Sequence, residues 1–419
     1  MEKIAIIGTG IAGMGCAYFI NPHFDITVFE QNEYIGGHSN TYYFQEDQRL
    51  IPIDTGFIVC NNENYPLLMR LFGELKVPLK KTKMSFSAQV IDRKLEYCGS
   101  SLNQLFTQRK NLVSPRYIRF LSHLSKFNKQ CIEVLSDDSL QNLSIEEYCK
   151  KRKYHEDLLN WYLLPMSSAL WSTPPETTVH FPVLSLVRFF KNHGFLGLNT
   201  QFQWFTVDGG SEEYKKRLTV SFQNKIRTNT KIISVRRNEN NVELKTGNGE
   251  MFQFDKVIFA GHADQMLQIM ADASVKENEL LSTFRYEKNT ATLHTDTSLM
   301  PQKKLAWSSW NYRIDGPTGK QQPCCTYWMN SLQGVSEKKN YFITINGVEN
   351  IDPASIIKQF EYEHPIFTVE AMKKQKMLYE LNAGNQVYFC GSYFRFGFHE
   401  DAFMSAVHVC EKILQKKVF

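Results

Sequence analysis

The chain has 419 residues, enough for two structural lobes around a large buried core. Hydrophobic residues make up 42% of it and charged residues 22%, and no stretch is long and apolar enough to cross a bilayer, so the composition is typical of a soluble globular protein. The net charge of +5 is too small to indicate nucleic-acid binding. The nine cysteines form no Cys-x-x-Cys pair, which indicates a reducing, cytoplasmic compartment and predicts neither a disulfide framework nor a metal site.

The first thirty residues predict a strand–turn–helix–strand unit that binds a dinucleotide. The apolar run Lys3–Ile7 is typical of a strand buried on both faces of a parallel sheet. A G-x-G-x-x-G fingerprint follows: Gly8 allows a tight turn, Gly10 lets the backbone approach a pyrophosphate, and Gly13 lets the helix pack on the strand. The helix would begin with its free amides facing the phosphates.

A second strand is predicted over residues 24–29, and it ends on Glu30. A carboxylate at this point can accept hydrogen bonds from both ribose hydroxyls of a dinucleotide. The same carboxylate would repel a 2′-phosphate, which argues against NADP.

Motifs further along the chain distinguish between dinucleotides. Gly36-Gly37-His38 follows the ribose acid, Asp54-Thr55-Gly56-Phe57 comes next, and Gly397-Phe398-His399 closes the sequence after a last strand over 386–391. In this order they resemble the flavin amine oxidase and phytoene desaturase superfamily, and the resemblance implies FAD. His38 stands where most members carry Arg, and Phe57 where many carry a second Gly; both positions lie beside the flavin in that family.

The resemblance also implies which residues hold the cofactor. A helix that begins near Phe398 would direct its positive dipole end at the flavin pyrimidine, where reduced flavin accumulates negative charge. The backbone near Ile232 would meet the adenine. The implied FAD-binding residues are Gly8, Gly10, Ile11, Ala12, Gly13, Glu30, Gln31, Gly36, Gly37, His38, Thr55, Gly56, Phe57, Ile232, Ala260, Gly391, Phe398, His399, Glu400 and Ala402.

The predicted fold class is α/β: a Rossmann-like FAD-binding domain, similar to those of amine oxidases and glutathione reductase, with an inserted α+β substrate domain. The FAD-binding domain would be discontinuous, formed by residues 1–90, 203–272 and 384–419. Alternating patterns over 231–254 predict a three-stranded antiparallel meander within it. Residues 91–202, mostly helical, and 273–383, strands plus helices, would form the substrate or cap domain.

Aromatic and aliphatic residues are dense in the predicted cap, over 165–173, 181–198, 306–312 and 326–330. They could line an apolar substrate cavity over the flavin or could simply form the core of the lobe itself. Amine oxidases usually place a lysine on the strand near the flavin, but the corresponding stretch, 289–293, has none. This argues against a simple amine oxidase.

Six short segments most resemble one bacterial subgroup of NAD/FAD-binding oxidoreductases, often encoded beside cyclopropane-fatty-acid-synthase-like methyltransferases. They are 54–59, 170–175, 207–211, 293–296, 327–330 and 397–401. The resemblance implies a fatty-acyl or lipid substrate for a desaturase, dehydrogenase or isomerase, with flavin N5 as the hydride acceptor. His294, Asp296 and His399 are the candidates for proton transfer. Two alternatives stay open: an amine oxidase that produces hydrogen peroxide, and a non-catalytic flavoprotein or redox partner.

One basic segment, residues 97–132, indicates which surfaces the protein could contact. Residues 97–132 contain no Asp or Glu, while Arg and Lys alternate there with apolar residues. The pattern fits a solvated helix face, or peripheral contact with the anionic inner surface of a membrane. The expected partner is a small-molecule or lipid substrate, and the sequence leaves the oligomeric state open.

Overall fold

The computed structural model describes residues 1–171, 173–197, 202–315, 324–384 and 386–419. Ser172 and Leu198, at two of the aromatic-rich segments, lie outside these ranges. The strands in chain order are β1 (Lys3–Ile7), β2 (Asp25–Phe29), β3 (Thr41–Glu46), β4 (Arg49–Asp54), β5 (Leu79–Thr82), β6 (Phe86–Val90), β7 (Leu95–Cys98), β8 (Trp204–Val207), β9 (Ile226–Arg227), β10 (Ile232–Arg237), β11 (Val242–Thr246), β12 (Met251–Phe254), β13 (Lys256–Phe259), β14 (Arg285–His294), β15 (Trp310–Ile314), β16 (Cys324–Trp328), β17 (Phe342–Ile345), β18 (Ile356–Ile366) and β19 (Val387–Phe389).

The α-helices include short single turns as well as long amphipathic segments. They are α1 (Ile11–Ile20), α2 (Pro66–Glu74), α3 (Leu102–Leu105), α4 (Pro115–Gln130), α5 (Asp138–Gln141), α6 (Ile145–Lys151), α7 (Glu156–Leu158), α8 (Leu164–Trp171), α9 (Pro175–Thr178), α10 (Val183–Asn192), α11 (Glu212–Thr219), α12 (Ala263–Ile269), α13 (Val275–Leu281), α14 (Met329–Gln333), α15 (Val369–Gln375), α16 (Leu378–Leu381) and α17 (His399–Leu414). No helix among these described segments is both long and apolar enough to cross a membrane.

A parallel sheet with strand order β19-β13-β1-β2-β9 forms the centre of the fold. Side chains of β1 alternate between its two faces: Ile4 and Ile6 pack with α1 and α17, whereas Ala5 and Ile7 pack with the β10–β12 meander. Burial on both faces explains why the β1 sequence is continuously apolar. The predicted α/β fold, the first strands and the meander are therefore confirmed.

A second, mixed sheet has the strand order β18-β14-β17-β16-β15-β6-β7, antiparallel except for the parallel pair β15–β6. Strand β6 falls in the segment 1–90 that the sequence assigns to the FAD-binding domain, although it pairs here with β15. The division of the chain into domains stays a prediction.

The segment from residue 95 to 192 departs from the predicted helical pattern at its beginning. Leu95–Cys98 is a strand, because it pairs with β6 along a fully buried edge of the second sheet. From Leu102 onward helices dominate, and their own core includes Phe120, Phe127 and Phe190. A capping box between Ser144 and Glu147 begins α6.

Candidate active site

A cavity of about 950 Å³ extends from the glycine-rich turn after β1 to aromatic side chains of the helical segment and the second sheet. Most of the predicted FAD-binding residues line it. They are Gly8, Gly10, Ile11, Ala12, Glu30, Gln31, Gly36, Gly37, His38, Thr55, Gly56, Phe57, Ile232, Ala260, Gly391, Phe398, His399 and Ala402.

The phosphate-binding turn has the geometry that its sequence requires. Gly8 adopts φ +106° and donates its amide to the Phe29 carbonyl at 2.9 Å, which links β1 to β2 at the turn. Gly10, the residue before α1, has open space where a Cβ would stand. A pyrophosphate could approach the backbone there and meet the amides at the start of α1.

Glu30 lies at the end of β2, beside this turn, and its side chain is buried. Its carboxylate accepts hydrogen bonds from the Thr9 amide at 3.2 Å and from the Asn32 amide at 2.9 Å, and also bonds the Thr9 hydroxyl. These contacts fix the carboxylate at the cavity wall, where ribose hydroxyls could donate to it.

The second glycine motif packs directly on the first. An added Cβ at Gly37 would lie 3.4 Å from the Gly10 Cα. The Phe57 amide donates to the His38 carbonyl at 2.8 Å, and a Cβ on Gly56 would overlap that carbonyl, so only glycine allows this pairing. His38 and Phe57 are thereby brought side by side in the cavity.

Asp54 explains why these segments meet. It is buried at the end of β4 and accepts hydrogen bonds from the Ser211 amide at 2.8 Å, the Thr41 hydroxyl at 2.6 Å and the Gln333 amide nitrogen at 2.7 Å. Burial raises its pKa to about 6, against the effect of these donors. One side chain thus joins β3, β4, the turn before α11, and α14.

His399 begins α17 and stacks on the Phe57 ring, with centroids 4.1 Å apart and an interplanar angle of 14°. Its Nε2 lies 2.7 Å from the Tyr214 hydroxyl and 3.2 Å from the Ser39 hydroxyl. Burial lowers the pKa of His399 to about 3, so the imidazole is neutral near pH 7. The sequence placed His399 at the site, but it did not reveal Tyr214 or Ser39 as its partners.

Strand β18 contributes residues that the sequence analysis missed. The Tyr362 hydroxyl bonds the Thr55 hydroxyl at 2.6 Å, and the Tyr362 ring stacks on His38 with centroids 4.9 Å apart. His364, also on β18, has its ring centroid 5.1 Å from that of His38, and burial lowers its pKa to about 4. The His38 Nε2 is buried and has no hydrogen-bond partner among the described residues, so it is free to donate to or accept from a bound group.

The far part of the cavity is lined by an aromatic wall, which we define by its aromatic and aliphatic side chains. These are Tyr65, Met84, Leu170, Trp171, Phe189, Phe195, Trp204, Trp310, Tyr327, Leu332, Ile343, Ile345, Phe367, Phe396 and Phe398. His193 sits among them, stacked on Phe189 at 3.7 Å, and burial lowers its pKa to about 4. The charged residues that line the described cavity lie elsewhere, at Glu30, Lys231, Lys288, Glu361 and Glu363.

Two predicted proton carriers are not at the site, and the prediction is corrected for both. His294 is fully buried, and its Nε2 lies 2.7 Å from the Thr344 hydroxyl within the second sheet. Asp296 accepts hydrogen bonds from the amides of Ser298 and Asp352. Neither side chain lines the cavity, because the lining residues of β14 are Tyr286 and Lys288 near its start, whereas His294 is its last residue and Asp296 follows it.

Two of the predicted FAD-binding residues, Gly13 and Glu400, support the site without lining the cavity. Gly13 packs α1 on the turn, since a Cβ there would overlap the Gly8 carbonyl. The Glu400 carboxylate accepts hydrogen bonds from the amides of Leu67 and Leu68, both at 2.9 Å, and so caps the start of α2. Both residues lie outside the cavity lining.

A lysine does line the cavity immediately before the stretch 289–293. Lys288 stands opposite Glu363 in the β14–β18 pair. Because side chains alternate along a strand, Lys288 and Glu363 occupy the face opposite to Tyr362 and His364. Lys288 is therefore on the side of the strand that faces His262, which bonds Glu363 at 3.2 Å, and away from His38.

These residues fit FAD. The open backbone at Gly10 suits the pyrophosphate, Glu30 suits the ribose, and the unpartnered His38 Nε2 can bond a group bound in the cavity, which Phe57 and His399 also line. The N-terminus of α17 adjoins the same space.

Comparisons with known proteins agree with this assignment. Residues 11–331, more than half of the chain, match the family model of flavin containing amine oxidoreductases. No curated protein sequence matches the chain.

Solved structures share the fold over nearly the whole length. They include the CLA-producing fatty acid isomerase from P. acnes (TM-score 0.70, 13% identity, 97% of each chain covered) and cyclohexylamine oxidase from Brevibacterium oxydans (TM-score 0.68, 15% identity, 99% of each chain covered). Reduced UDP-galactopyranose mutase is a third (TM-score 0.70, 14% identity, 99% of this chain and 96% of that chain). At these identities the likeness shows the fold alone. The chain therefore belongs to the flavin containing amine oxidoreductase family, as an FAD-dependent oxidoreductase.

Proposed function

We propose that this enzyme transfers hydride between its flavin and an apolar fatty-acyl or lipid substrate, as a desaturase, dehydrogenase or isomerase. The observation that carries the proposal is the number of aromatic and aliphatic side chains in the cavity lining, the fifteen residues of the aromatic wall against five charged residues. A hydrocarbon chain buries its surface favourably against such a wall, at about 25 cal/mol per Å². Family membership sets aside the alternative of a non-catalytic flavoprotein.

The chain's residues would act by positioning and by excluding water. FAD, when bound, supplies the hydride acceptor or donor. The aromatic wall holds the carbon chain, which converts a random encounter into an oriented one. The amides at the start of α17 and the dipole of that helix favour negative charge beside Phe398. His399 is held neutral by burial, so it serves there as a hydrogen-bonding group rather than as a cation.

Amine oxidation is the competing activity. The fold does not distinguish it from hydride transfer with an acyl chain, because solved structures of the same fold include a fatty acid isomerase and an amine oxidase. A cationic amine in the aromatic wall would lose its hydration without gaining a carboxylate partner from the described wall residues. Two of the carboxylates in the lining, Glu361 and Glu363, lie on the other face of β18 from Tyr362. This charge distribution favours the acyl substrate.

The test is product analysis. Purified holoenzyme is incubated with a panel of saturated and unsaturated fatty acids, and the number and position of double bonds are measured by mass spectrometry. In parallel, a panel of polyamines and aromatic amines is assayed for hydrogen peroxide. We expect altered double bonds in the fatty acids and no peroxide from the amines; without an added electron acceptor, a desaturase or dehydrogenase would act once per flavin, whereas an isomerase would turn over. Peroxide from amines with unchanged fatty acids would overturn the proposal.

Two tryptophan variants make the test specific. Trp310 lines the cavity, whereas Trp307, three residues earlier, does not and donates its indole N–H to the Pro301 carbonyl. Trp310→Gln should lower acyl turnover while FAD stays bound, and Trp307→Gln should leave turnover near that of the unmodified enzyme. Equal loss in both would indicate a general structural effect.

We also propose peripheral membrane contact through the basic segment 97–132. Two apolar side chains at its centre are exposed, Leu112 by 54% and Val113 by 85%. Lys110 and Arg119 flank them, and neither has a carboxylate partner among the described residues. Exposed apolar side chains between cations suit the surface of an anionic bilayer.

A further inference from the structure

A second pocket, of about 740 Å³, lies beside the catalytic cavity and is rich in cations. Arg188, Lys191, Lys376 and Arg395 line it, with His408 at its rim, and its described lining contains no Asp or Glu. We call it the basic pocket. Four cations without a carboxylate in the lining create a positive potential that favours an anion.

Arg188 is the most informative member of the basic pocket. Its side chain is partly buried on α10, and it forms no ion pair or hydrogen bond with any described residue. Burial, and then the neighbouring Arg395, lower the pKa of Arg188. Arg395 lies 3.8 Å from one oxygen of the Asp401 carboxylate, whose other oxygen accepts the amides of Phe396 and Phe398. Arg188 is therefore the guanidinium of this pocket without a carboxylate partner among the described residues, whereas Arg395 is partly compensated by Asp401.

The basic pocket adjoins the aromatic wall at one shared side chain. Phe396 lines both spaces, one residue after Arg395. On α10, Phe189 and His193 line the cavity, while Arg188 and Lys191 line the basic pocket. Neighbouring residues of the same two segments thus face an apolar space on one side and a cationic space on the other.

We propose that the basic pocket binds the anionic head group, a carboxylate or a phosphate, of an amphipathic acyl substrate whose hydrocarbon chain lies along the aromatic wall. The inference rests on the proposed function and adds to it the charge and the orientation of the substrate. Arg188 and Arg395 would donate to the head group, since guanidinium groups match the geometry of carboxylate and phosphate oxygens. Lys191 would add charge at the entrance.

Binding calorimetry on the holoenzyme tests this with matched probes. Decanoate and decanol share a hydrocarbon chain but differ in charge, and inorganic phosphate supplies the charge without the chain. We expect the unmodified protein to bind decanoate more tightly than decanol. Arg188→Gln should weaken decanoate binding by about tenfold or more and leave decanol binding unchanged.

Two further variants are compared in the same calorimetry experiment: one removes another cation of the basic pocket and the other is a control. Lys191→Gln, at an exposed position, should weaken decanoate binding by about twofold to fivefold. Lys245→Gln, on the exposed face of β11 and remote from the pocket lining, is the matched control and should change nothing.

Each contrary outcome has a separate meaning. Equal affinity for decanoate and decanol, unaffected by Arg188→Gln, would overturn the head-group site and leave the acyl cavity standing. Phosphate binding that depends on Arg188, together with equal binding of decanoate and decanol, would overturn it in favour of a free-anion site. No binding of either chain would contradict the proposed acyl substrate itself.

Discussion

Histidine side chains around the cavity are held neutral by their surroundings. Burial lowers the pKa of His399 to about 3 and those of His364 and His193 to about 4. Each can donate or accept a hydrogen bond through its ring nitrogens, but none offers a positive charge near pH 7. At the scale of single residues, these histidines therefore supply hydrogen-bonding groups and no positive charge to the cavity near pH 7.

The neutral state of His399 predicts a pH effect on stability. Because the folded-state pKa lies below the ordinary value near 6.5, the unfolded chain binds the proton first, and the contribution of His399 is lost as pH falls from about 6.5 toward 3. Glu400 and Asp401 have raised pKa values, about 7 and about 6, and act with the opposite sign.

Because these effects oppose one another, the contribution of His399 is measured as the difference in unfolding free energy between the unmodified protein and a variant that lacks this histidine. Urea unfolding of the unmodified protein and of His399→Gln, between about pH 7 and pH 4, should show the stability difference shrinking as pH falls. His408→Gln, at an exposed position of the same helix, is the control. A difference that stays constant with pH would mean that His399 is not buried in neutral form.

Glu30 should be required for FAD retention. Glu30→Ala removes the carboxylate beside Gly10 and should weaken FAD binding by roughly 1–3 kcal/mol, the usual value for a hydrogen bond to a charged group. The dissociation constant is measured by adding FAD back to apoprotein, with Glu33→Ala, a nearby exposed carboxylate, as the control. Unchanged retention would show that Glu30 does not meet the ribose.

Single residues also show what the sequence could reveal. Gly8, Gly10 and Glu30 were predictable because their roles depend on backbone geometry within one local unit. Tyr362 and His364 were not predictable. They lie more than 300 residues after His38 in the chain and reach it only because β18 pairs with β14. The misplacement of His294 has the same origin, since strand alternation does not tell which end of β14 borders the cavity.

At the scale of secondary-structure elements, Asp54 holds the cavity floor together. Removing its carboxylate would leave buried donors from Ser211, Thr41 and Gln333 without an acceptor. Asp54→Ala should therefore lower the free energy of unfolding by about 3 kcal/mol, whereas Asp54→Asn, which keeps one acceptor oxygen, should cost less. Chemical denaturation measures both, and the exposed Asp47→Ala is the control.

Equal effects of Asp54→Ala and Asp47→Ala would contradict the network. The motif around Asp54 was recognised in the sequence, but its function as a junction was not, because Thr41, Ser211 and Gln333 come from three separate parts of the chain. The strand Leu95–Cys98 escaped prediction for a similar reason: four residues carry too short a pattern to separate strand from helix.

At the scale of the whole molecule, the proposed membrane contact of the basic segment 97–132 can be tested. Replacing Leu112 and Val113 together by Ser should reduce sedimentation with anionic phospholipid vesicles, because both exposed apolar side chains are lost. Replacing Ile233 and Met251, exposed on the meander, is the control. Sedimentation that depends on neither pair would leave the segment as a solvated surface.

The proposed function requires a hydrocarbon chain to lie along the aromatic wall beside the flavin. The most direct measurement is the occupant of the cavity. The yellow holoenzyme is incubated with a mixture of fatty acids and polyamines, freed from excess by gel filtration and extracted for mass spectrometry. We predict a fatty acid retained by the unmodified enzyme and diminished in Trp310→Gln; a retained polyamine, or fatty acid retained equally by both proteins, would contradict the account.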